Sequence, residues 1–466
     1  MNRTTSHAFV AFTFTLLLVP LANGRTADAE KRPARIVVHQ RQFIEKESGR
    51  PFVPFGVNYY RPGTGWAPQL WKQFDAEATR RDFARLKKQG ANVVRVFISF
   101  GSFYTEPGRL DSEGLAKFDT LLALADEAGL YVHPTGPDAW EGQPAWTNEL
   151  NLFSNDTNEQ AMKALEEYWR MFVSRYRGRS TIWAYDLRNE PSIAWDTPYL
   201  RTAWDAWRKN RHQKPLPVPD PNAGPASPQL ADYQRFRESI ADKWVERQAA
   251  AIRAADPEAL ITVGLLQWSV PAQRIQLDQY TAFRPSVIAR HLDFMELHYY
   301  PLAKGAYEYG GPDAETVNLA VLEAMARECA KTDLPLVIAE FGWYGGGPLI
   351  PGGKPATEEQ QAQWCRRLVE VTAPMACGWL NWGMYDHPQA KDVSKLTGLF
   401  TVDGTEKAWG RTFRDLTQRI GAHPPAYMIP QRPDLPWDAC TVSSDEMEKF
   451  RQAYLMAFVA GWKSQQ

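Results

Sequence analysis

The 466-residue sequence predicts an α/β fold, a (β/α)8 TIM barrel. Eight apolar runs that suit buried strands recur along the chain, and segments with helical spacing of apolar residues separate them. Parallel strands that are buried on both faces are continuously apolar and need helical crossovers, so this alternation indicates a parallel sheet. An open, doubly wound sheet is the alternative. The strand count of eight, together with the lack of a glycine-rich phosphate loop after the first apolar run, favours the barrel.

The predicted elements begin with an N-terminal hairpin, since two strand-like runs are separated by a polar segment that ends in Ser48-Gly49-Arg50. The helix after the first barrel strand has a polar start and closes at Gly90, and the next helix repeats this design up to Gly129. The eight predicted barrel strands lie at residues 52–58, 92–98, 129–133, 182–187, 260–265, 292–298, 334–340 and 377–382.

The chain is expected to hold one catalytic domain, residues 34–422, and a C-terminal extension, residues 423–466. The extension is too short for a core of its own, so its last, amphipathic helix is expected to pack on the barrel. A long connection at residues 191–229 follows the fourth strand and contains several tryptophans and a proline cluster. Its place on the C-terminal rim predicts a substrate-binding excursion, and a disordered insert is the alternative.

The N-terminus carries the pattern of a cleaved signal peptide, residues 1–24. Arg3 precedes an apolar run, and small residues follow at Ala22-Asn23-Gly24. No other stretch reaches the roughly 18 apolar residues that a membrane span needs. We therefore expect a secreted or periplasmic protein. In such an oxidising compartment the four cysteines could form one or two disulfides, and buried thiols are the alternative.

Composition and charge exclude several classes of partner. The chain has 53 basic and 54 acidic residues and a formal net charge of -1, so no strong field attracts it to nucleic acid or to an anionic membrane. A metal-dependent hydrolase would need clustered histidine and aspartate ligands. The sequence has only 8 histidines and no His-x-His at a strand end. We expect a monomer that uses no cofactor and no metal.

Two glutamates end predicted strands of the barrel. Glu190 follows the fourth strand in "AYDLRNEP", and Glu340 ends the seventh in "LPLVIAEFGWY". In a barrel, polar residues at the C-terminal ends of strands project into the active-site mouth, so both carboxylates are expected to face one site. Glycoside hydrolysis needs such a pair, in which one carboxylic acid protonates the departing oxygen and the other carboxylate attacks or stabilises the anomeric carbon.

With these residues the sequence resembles the clan A glycoside hydrolases, and most of all family 5, the cellulase and β-mannanase family. The resemblance covers roughly residues 36 to 420 and rests on six matches in chain order, each at the end of its own strand. It implies a double displacement with retention, in which Glu340 is the nucleophile and Glu190 the acid and base. It also implies substrate binding by residues that match the family's pattern, namely Arg95, His133, Asn189, His298, Tyr300 and Trp382. A buried arginine paired with a core acid such as Glu296 is the alternative for Arg95.

Further polar and aromatic residues on the same rim indicate a cleft that stacks several sugar rings. Those expected to bind substrate are Asn58, Trp140 and Trp195. Such a cleft favours a β-linked polysaccharide or oligosaccharide, with β-mannan or β-glucan preferred. A retaining transglycosylase shares all of these features. A non-catalytic carbohydrate-binding barrel is a second alternative, but it has no need of both glutamates.

Overall fold

The computed structural model describes residues 32–63, 69–222, 228–301, 311–342, 356–390 and 393–463. The predicted signal peptide lies outside the described residues. Among the described helices, none is both long enough and apolar enough to cross a bilayer.

The predicted N-terminal hairpin is present and carries a third strand. Strands β1 (Ile36–His39), β2 (Gln42–Glu45) and β3 (Pro51–Phe52) form an antiparallel sheet. Phe43 of this sheet packs edge-on against Trp183 and Phe294, with ring centroids 5.1 and 5.2 Å apart. Both partners lie within two residues of the start of a barrel strand, so the small sheet covers the N-terminal end of the barrel with apolar side chains.

Eight parallel strands close into a barrel, which confirms the predicted fold class. They are β4 (Phe55–Asn58), β5 (Val93–Ser99), β6 (Tyr131–Asp138), β7 (Tyr185–Asn189), β8 (Ile261–Leu265), β9 (Met295–Tyr299), β10 (Leu336–Phe341) and β11 (Gly378–Asn381). Each overlaps one of the eight predicted runs. Strand β6 continues five residues beyond the predicted end at His133, through Pro134 and Pro137. Because β7 pairs with β6 at Thr135 only, the missing proline N–H groups cost few ladder hydrogen bonds.

Helices surround the barrel and begin and end where capping residues stand. Asp75 accepts a hydrogen bond from the backbone N–H of Ala78 at the start of the first helix, and Gly129 ends the third in the left-handed conformation. The helices are α1 (Ala76–Lys88), α2 (Phe100–Phe103), α3 (Ser112–Ala128), α4 (Ala145–Glu149), α5 (Glu159–Tyr176), α6 (Pro198–Lys209), α7 (Pro228–Ala255), α8 (Pro285–Ile288), α9 (Gly311–Ala330), α10 (Glu358–Thr372), α11 (Ala408–Ala422), α12 (Trp437–Cys440) and α13 (Ser444–Lys463).

The connection after β7 is folded over residues 191–222, contrary to the alternative of a disordered insert. It contains α6, where Trp204 stacks on Trp207 with ring centroids 5.2 Å apart and packs edge-on against Tyr233 of α7. The indole N–H of Trp204 donates to the carbonyl oxygen of Leu216 at 2.9 Å. Aromatic packing against α7 therefore holds this connection in place.

The C-terminal extension lies against α9. Phe450, Tyr454 and Phe458 of α13 are buried and belong to the main core of the barrel. Arg432 of the extension pairs with Glu323 of α9, with an N–O distance of 2.8 Å. The four cysteines, all within the described residues, form no disulfide with one another. Cys329, Cys365 and Cys440 are buried thiols, as the alternative expected, and Cys377 is half-buried.

Candidate active site

A break in the register of β7 brings Glu190 to the mouth of the barrel. The pairing with β8 shifts between Asp186 and Asn189. The Asp186 carboxylate supports this irregularity, since its Oδ1 accepts hydrogen bonds from the backbone N–H groups of Gly264 (2.8 Å) and Arg188 (3.2 Å). Such an irregularity re-aims side chains at the end of a strand. Glu190 follows with a φ of +49°, and its side chain is 26% exposed at the mouth.

Glu340 ends the predicted seventh strand, β10, as expected, and is almost fully buried. Its Oε1 accepts a hydrogen bond from Nη1 of Arg95 at 2.7 Å, and its Oε2 accepts one from the Tyr300 hydroxyl at 3.0 Å. Hydrogen bonds that donate to a carboxylate favour its ionised form. Glu340 is therefore held in one orientation with both oxygens occupied.

Arg95 of β5 connects four side chains from three other strands. Its Nη1 donates to Asn58 as well as to Glu340, and its Nη2 donates to Asp186 at 2.7 Å and to Asn189 at 3.0 Å. The core acid that pairs with Arg95 is thus Asp186 and not Glu296, which corrects the alternative considered from the sequence. The guanidinium fork fixes the relative positions of β4, β7 and β10 at their C-terminal ends.

His298 lies between the two glutamates. Its Nδ1 is 3.0 Å from Oε1 of Glu190 and 3.4 Å from Oε1 of Glu340. One ligand-type atom from each of these three residues lies within 4.8 Å of the other two. Burial lowers the pKa of His298, although the neighbouring Glu340 opposes that shift, and Nδ1 of the ring is within hydrogen-bond distance of Glu190.

Burial also sets the protonation of the two carboxyl groups. It raises the pKa of Glu190 to about 7, against the opposing charge of Arg95. It raises the pKa of Glu340 to about 7 as well, although His298 and Arg95 favour its ionised form. The hydrogen bonds from Arg95 and Tyr300 favour the charge on Glu340, and hence a shared proton on Glu190. Burial, and not the charge of Glu340, is therefore the main cause of the raised pKa of Glu190.

His133 and Asn58, which were predicted to bind substrate, lie beneath the mouth and contact other groups of the protein. Both ring nitrogens of His133 are engaged, Nδ1 with the carbonyl oxygen of Ala184 and Nε2 with Glu296, each at 2.9 Å. The Asn58 amide donates to the carbonyl oxygens of Ala339 and Asn381 and accepts from Arg95. Both side chains are fully buried, so they support the site from below.

Two clusters of carboxylates and a histidine, within the described residues, have the spacing of metal ligands. They are His133, Asp186 and Glu296, and Glu190, His298 and Glu340. In each cluster one carboxylate already accepts hydrogen bonds from Arg95. A fixed guanidinium charge at this distance opposes a cation at either place. The expectation that the site uses no metal stays a prediction.

The family model for cellulases, glycosyl hydrolase family 5, matches residues 46–388, which is most of the chain and includes both glutamates. The chain belongs to glycosyl hydrolase family 5. This agrees with the resemblance found in the sequence.

Two curated relatives are similar in sequence to this family 5 chain. It is 24% identical over 324 residues to mannan endo-1,4-beta-mannosidase A of Podospora anserina, covering 64% of this chain and 73% of that protein. It is 20% identical over 327 residues to mannan endo-1,4-beta-mannosidase F of Aspergillus clavatus, with 64% of each chain covered. The chain thus spans under two thirds of the length of the second relative.

Among solved structures, the GH5_18 protein of Streptomyces cattleya in complex with GlcNAc superposes with a TM-score of 0.63 at 20% identity, covering 87% of this chain and 92% of that one. An exo-beta-1,4-mannosidase from Opitutaceae bacterium strain TAV5 superposes with a TM-score of 0.59 at 20% identity, covering 82% and 62%. At this identity the likeness shows the fold.

In this family 5 enzyme the tryptophans that were predicted to bind substrate make different contacts. Trp382 follows β11, donates its indole N–H to Oγ of Ser394 at 2.8 Å, and packs on Tyr60 and Phe97 with centroid distances of 5.6 and 5.7 Å. Its ring is thus held near the end of the barrel. Trp140 lies after β6, close to the Asp138 carboxyl group at the end of that strand.

Trp195 serves mainly to hold the connection after β7. Its indole N–H donates to the carbonyl oxygen of Pro219 at 3.0 Å, and its ring packs edge-on against Tyr233. The Arg237 guanidinium lies over the same ring, 4.9 Å from the centroid. These contacts account for a half-buried tryptophan without a bound sugar.

One residue of this family 5 site, Asp186, was not predicted from the sequence. It pairs with Arg95 and supports the register shift of β7. Glu296, considered above as a partner of Arg95, is paired with His133. A charged residue inside a run that is otherwise buried on both faces is itself a signal, because an unpaired buried carboxylate is costly. That signal reveals a buried acid but not its partner.

Proposed function

We propose that this family 5 enzyme is a retaining β-glycoside hydrolase that cleaves β-1,4-linked mannan or its oligosaccharides. The observation that carries the proposal is the closeness of the two glutamates, since one carboxylate oxygen of Glu190 lies within 4.8 Å of one of Glu340. Retaining enzymes hold their carboxyl groups about 5–5.5 Å apart, whereas inverting enzymes need about 6.5–9.5 Å to admit a water.

In the proposed first step, an ionised Glu340 oxygen attacks the anomeric carbon while Glu190 donates its proton to the departing glycosidic oxygen. The product of this step is a covalent glycosyl-enzyme ester. In the second step Glu190, now a carboxylate, takes a proton from water, and the water oxygen displaces Glu340 from the anomeric carbon. The hydrogen bonds from Arg95 and Tyr300 to Glu340 support its role as the ionised nucleophile.

Asn189 is proposed to bind the sugar. Its side-chain oxygen accepts a hydrogen bond from Arg95, which leaves its amide N–H groups as the donors on the opposite side. A hydroxyl next to the anomeric carbon is a suitable acceptor, and contacts at the 2-hydroxyl strengthen in the transition state. Trp382 is proposed to be the platform on which the sugar ring at this position stacks.

Mannan is preferred to glucan because the two curated relatives described above are mannan endo-1,4-beta-mannosidases. The exo-beta-1,4-mannosidase among the solved structures supports the same sugar but an exo mode of action. The apolar run behind Arg3 supports the further proposal that the protein is secreted or periplasmic, and we propose that it acts as a monomer.

The test is release of reducing sugar by the purified enzyme from β-mannan, cellulosic β-glucan and xylan, beside its Glu340→Ala variant. We expect release from mannan, and a loss of at least about 10³-fold in the variant because the covalent step is lost. Preferential release from glucan or xylan would overturn the sugar, and full activity of the variant would overturn the role of Glu340. Product sizes separate endo from exo action.

A further inference from the structure

The backbone of Glu190 is held in a conformation that a glutamate rarely adopts. Its φ of +49° lies in the left-handed region, which is unfavourable for a residue other than glycine. Pro191 follows directly, and a proline restricts the residue before it to extended conformations. Such a conformation persists only where the surrounding structure fixes the backbone.

Asn155 contacts the chain on both sides of this corner. It lies between α4 and α5, and it also has a left-handed backbone. Its Oδ1 accepts a hydrogen bond from Nη1 of Arg188, two residues before Glu190, at 2.6 Å. Its Nδ2 donates to the carbonyl oxygen of Ser192, two residues after Glu190, at 3.0 Å. One amide group therefore spans the turn that presents the proposed proton donor.

Arg188 makes this contact a strong one. Its side chain is buried, with the guanidinium carbon 5.0 Å from the ring centroid of Phe153 and 5.7 Å from that of Trp244. Within the described residues, its Nε and Nη2 have no hydrogen-bond partner, so Asn155 supplies the acceptor for this group. Burial lowers the pKa of Arg188 to about 10, so it is charged at neutral pH. Hydrogen bonds from a buried charge are about twice as strong as neutral ones.

We propose that Asn155 is a positioning residue for the proton donor: by joining Arg188 to Ser192 it fixes the backbone of Glu190 and directs the carboxyl group at the departing oxygen. The inference rests on the proposed function, in which Glu190 is the acid and base. Misplacing a catalytic group by about 1 Å can cost about 10²-fold in rate. The loss should fall on protonation of the leaving group, which is the task of Glu190 in the first step.

The experiment compares kcat/KM for two substrates that differ in their need for the acid, β-1,4-mannotetraose and 2,4-dinitrophenyl β-mannobioside. The variants are Asn155→Gly, which removes both hydrogen bonds, and Asn155→Asp, which keeps an acceptor for Arg188 but cannot donate to Ser192. Both glycine and aspartate tolerate the left-handed backbone. We expect Asn155→Gly to lose about 10–10²-fold on mannotetraose and less than about 3-fold on the activated substrate. Asn155→Asp should lie between Asn155→Gly and the wild type.

Asn158→Ala is the matched control, because Asn158 caps α5 in the same segment and donates to the carbonyl oxygen of Leu150. It should lower stability without changing the ratio of the two kcat/KM values, a ratio that does not depend on the folded fraction. Equal losses on both substrates in Asn155→Gly would overturn the positioning role. Glu190→Ala is measured in parallel. If its kcat/KM falls equally on both substrates, the proposed acid role of Glu190 is itself wrong, and the result for Asn155 is then not the cause.

Discussion

At the scale of single residues, the site depends on how Arg95 distributes its hydrogen bonds. Its Nη1 donates to Glu340, and its Nη2 donates to Asp186 and Asn189. One fixed cation thereby orients the proposed nucleophile and the residue beside the proposed acid. Because the whole group is buried, removing the arginine would take one hydrogen bond from each of its partners, among them the buried Asn58, Asp186 and Glu340.

The pH dependence of activity should be bell-shaped with its maximum near neutrality, because Glu340 must be ionised and Glu190 protonated. Both pKa values are raised to about 7 by burial. Activity rises as Glu340 loses its proton and falls as Glu190 loses its own. In Glu190→Gln the alkaline limb of kcat/KM for an activated aryl glycoside should disappear. An alkaline limb that stays in place would assign it to another group.

The raised pKa of Glu190 also predicts how the free energy of unfolding changes with pH. The folded pKa of Glu190, about 7, lies above its usual value of 4.5, so the folded state keeps a proton that the unfolded state has lost between these values. The stabilising effect of the neutral carboxyl is complete below pH 4.5 and is lost as the pH rises towards 7. Glu190→Gln should therefore gain stability over wild type by about 1–3 kcal/mol more at pH 8 than at pH 5, as measured by urea denaturation. A constant difference across this range would contradict the shift.

Glu190, Glu340 and His298 could be found from sequence because each stands where an apolar run ends, and they meet at the mouth as that position predicts. Arg95 lies inside its run, on β5, and reaches Glu340 from there. His133 occupies the same kind of position but lies one layer lower, because β6 continues beyond it. Which residues pair inside the barrel depends on strand register, and an apolar run carries no information on register.

At the scale of elements, strand β8 lacks a side chain at Gly264 and so leaves room for the side chains of neighbouring strands. A Cβ atom on Gly264 would lie 2.9 Å from Nε2 of His298 and 3.0 Å from Nη2 of Arg95. The backbone N–H of the same residue donates to Asp186, and its carbonyl oxygen accepts from Glu190. The close approach of β8 to these side chains requires a glycine.

Gly264→Ala should therefore displace His298 and Arg95 and reduce kcat by about 10-fold or more, at a cost of about 1–3 kcal/mol in stability. Gly421→Ala is the matched control, since its Cβ would meet nothing within 4 Å on α11. That change should leave kcat alone and raise stability by about 0.5–1 kcal/mol. Steady-state kinetics and thermal unfolding of the two variants decide the matter. Wild-type kcat in Gly264→Ala would show that the site adapts.

The elements themselves were largely predictable. All eight barrel strands follow from apolar runs, and capping residues set the ends of α1 and α3. The shift in the pairing of β7 could not be predicted, because it depends on a hydrogen bond from β8 to Asp186, residues 78 apart in sequence. Likewise, the folded state of the connection after β7 depends on aromatic packing with α7.

At the scale of the whole molecule, the barrel and its C-terminal extension share a core. Phe450, Tyr454 and Phe458 are buried with the barrel's own side chains, and Arg327 of α9 donates to the carbonyl oxygens of Pro430 and Pro433. We therefore propose that the extension stabilises the catalytic domain and does not fold as an independent unit.

Truncation after residue 422 tests this view. Removing the extension exposes the apolar side of α9, so Tm should fall by about 10 °C or more, or the product should aggregate. The full chain should unfold in one calorimetric transition. An unchanged Tm in the truncated protein would show that the extension is dispensable.

Three of the four thiols are buried, so their labelling by a thiol reagent can report the order in which parts of this molecule unfold. Cys329, Cys365 and Cys440 are fully buried, and burial raises the pKa of the Cys440 thiol to about 12. A thiol reacts as its thiolate, so a labelling reagent should modify these positions only while the surrounding structure is open. Cys440 belongs to the extension, whereas Cys329 and Cys365 lie in helices around the barrel. The order in which the three sites are labelled in mild urea would therefore show whether the extension detaches before the barrel opens or the whole chain opens at once.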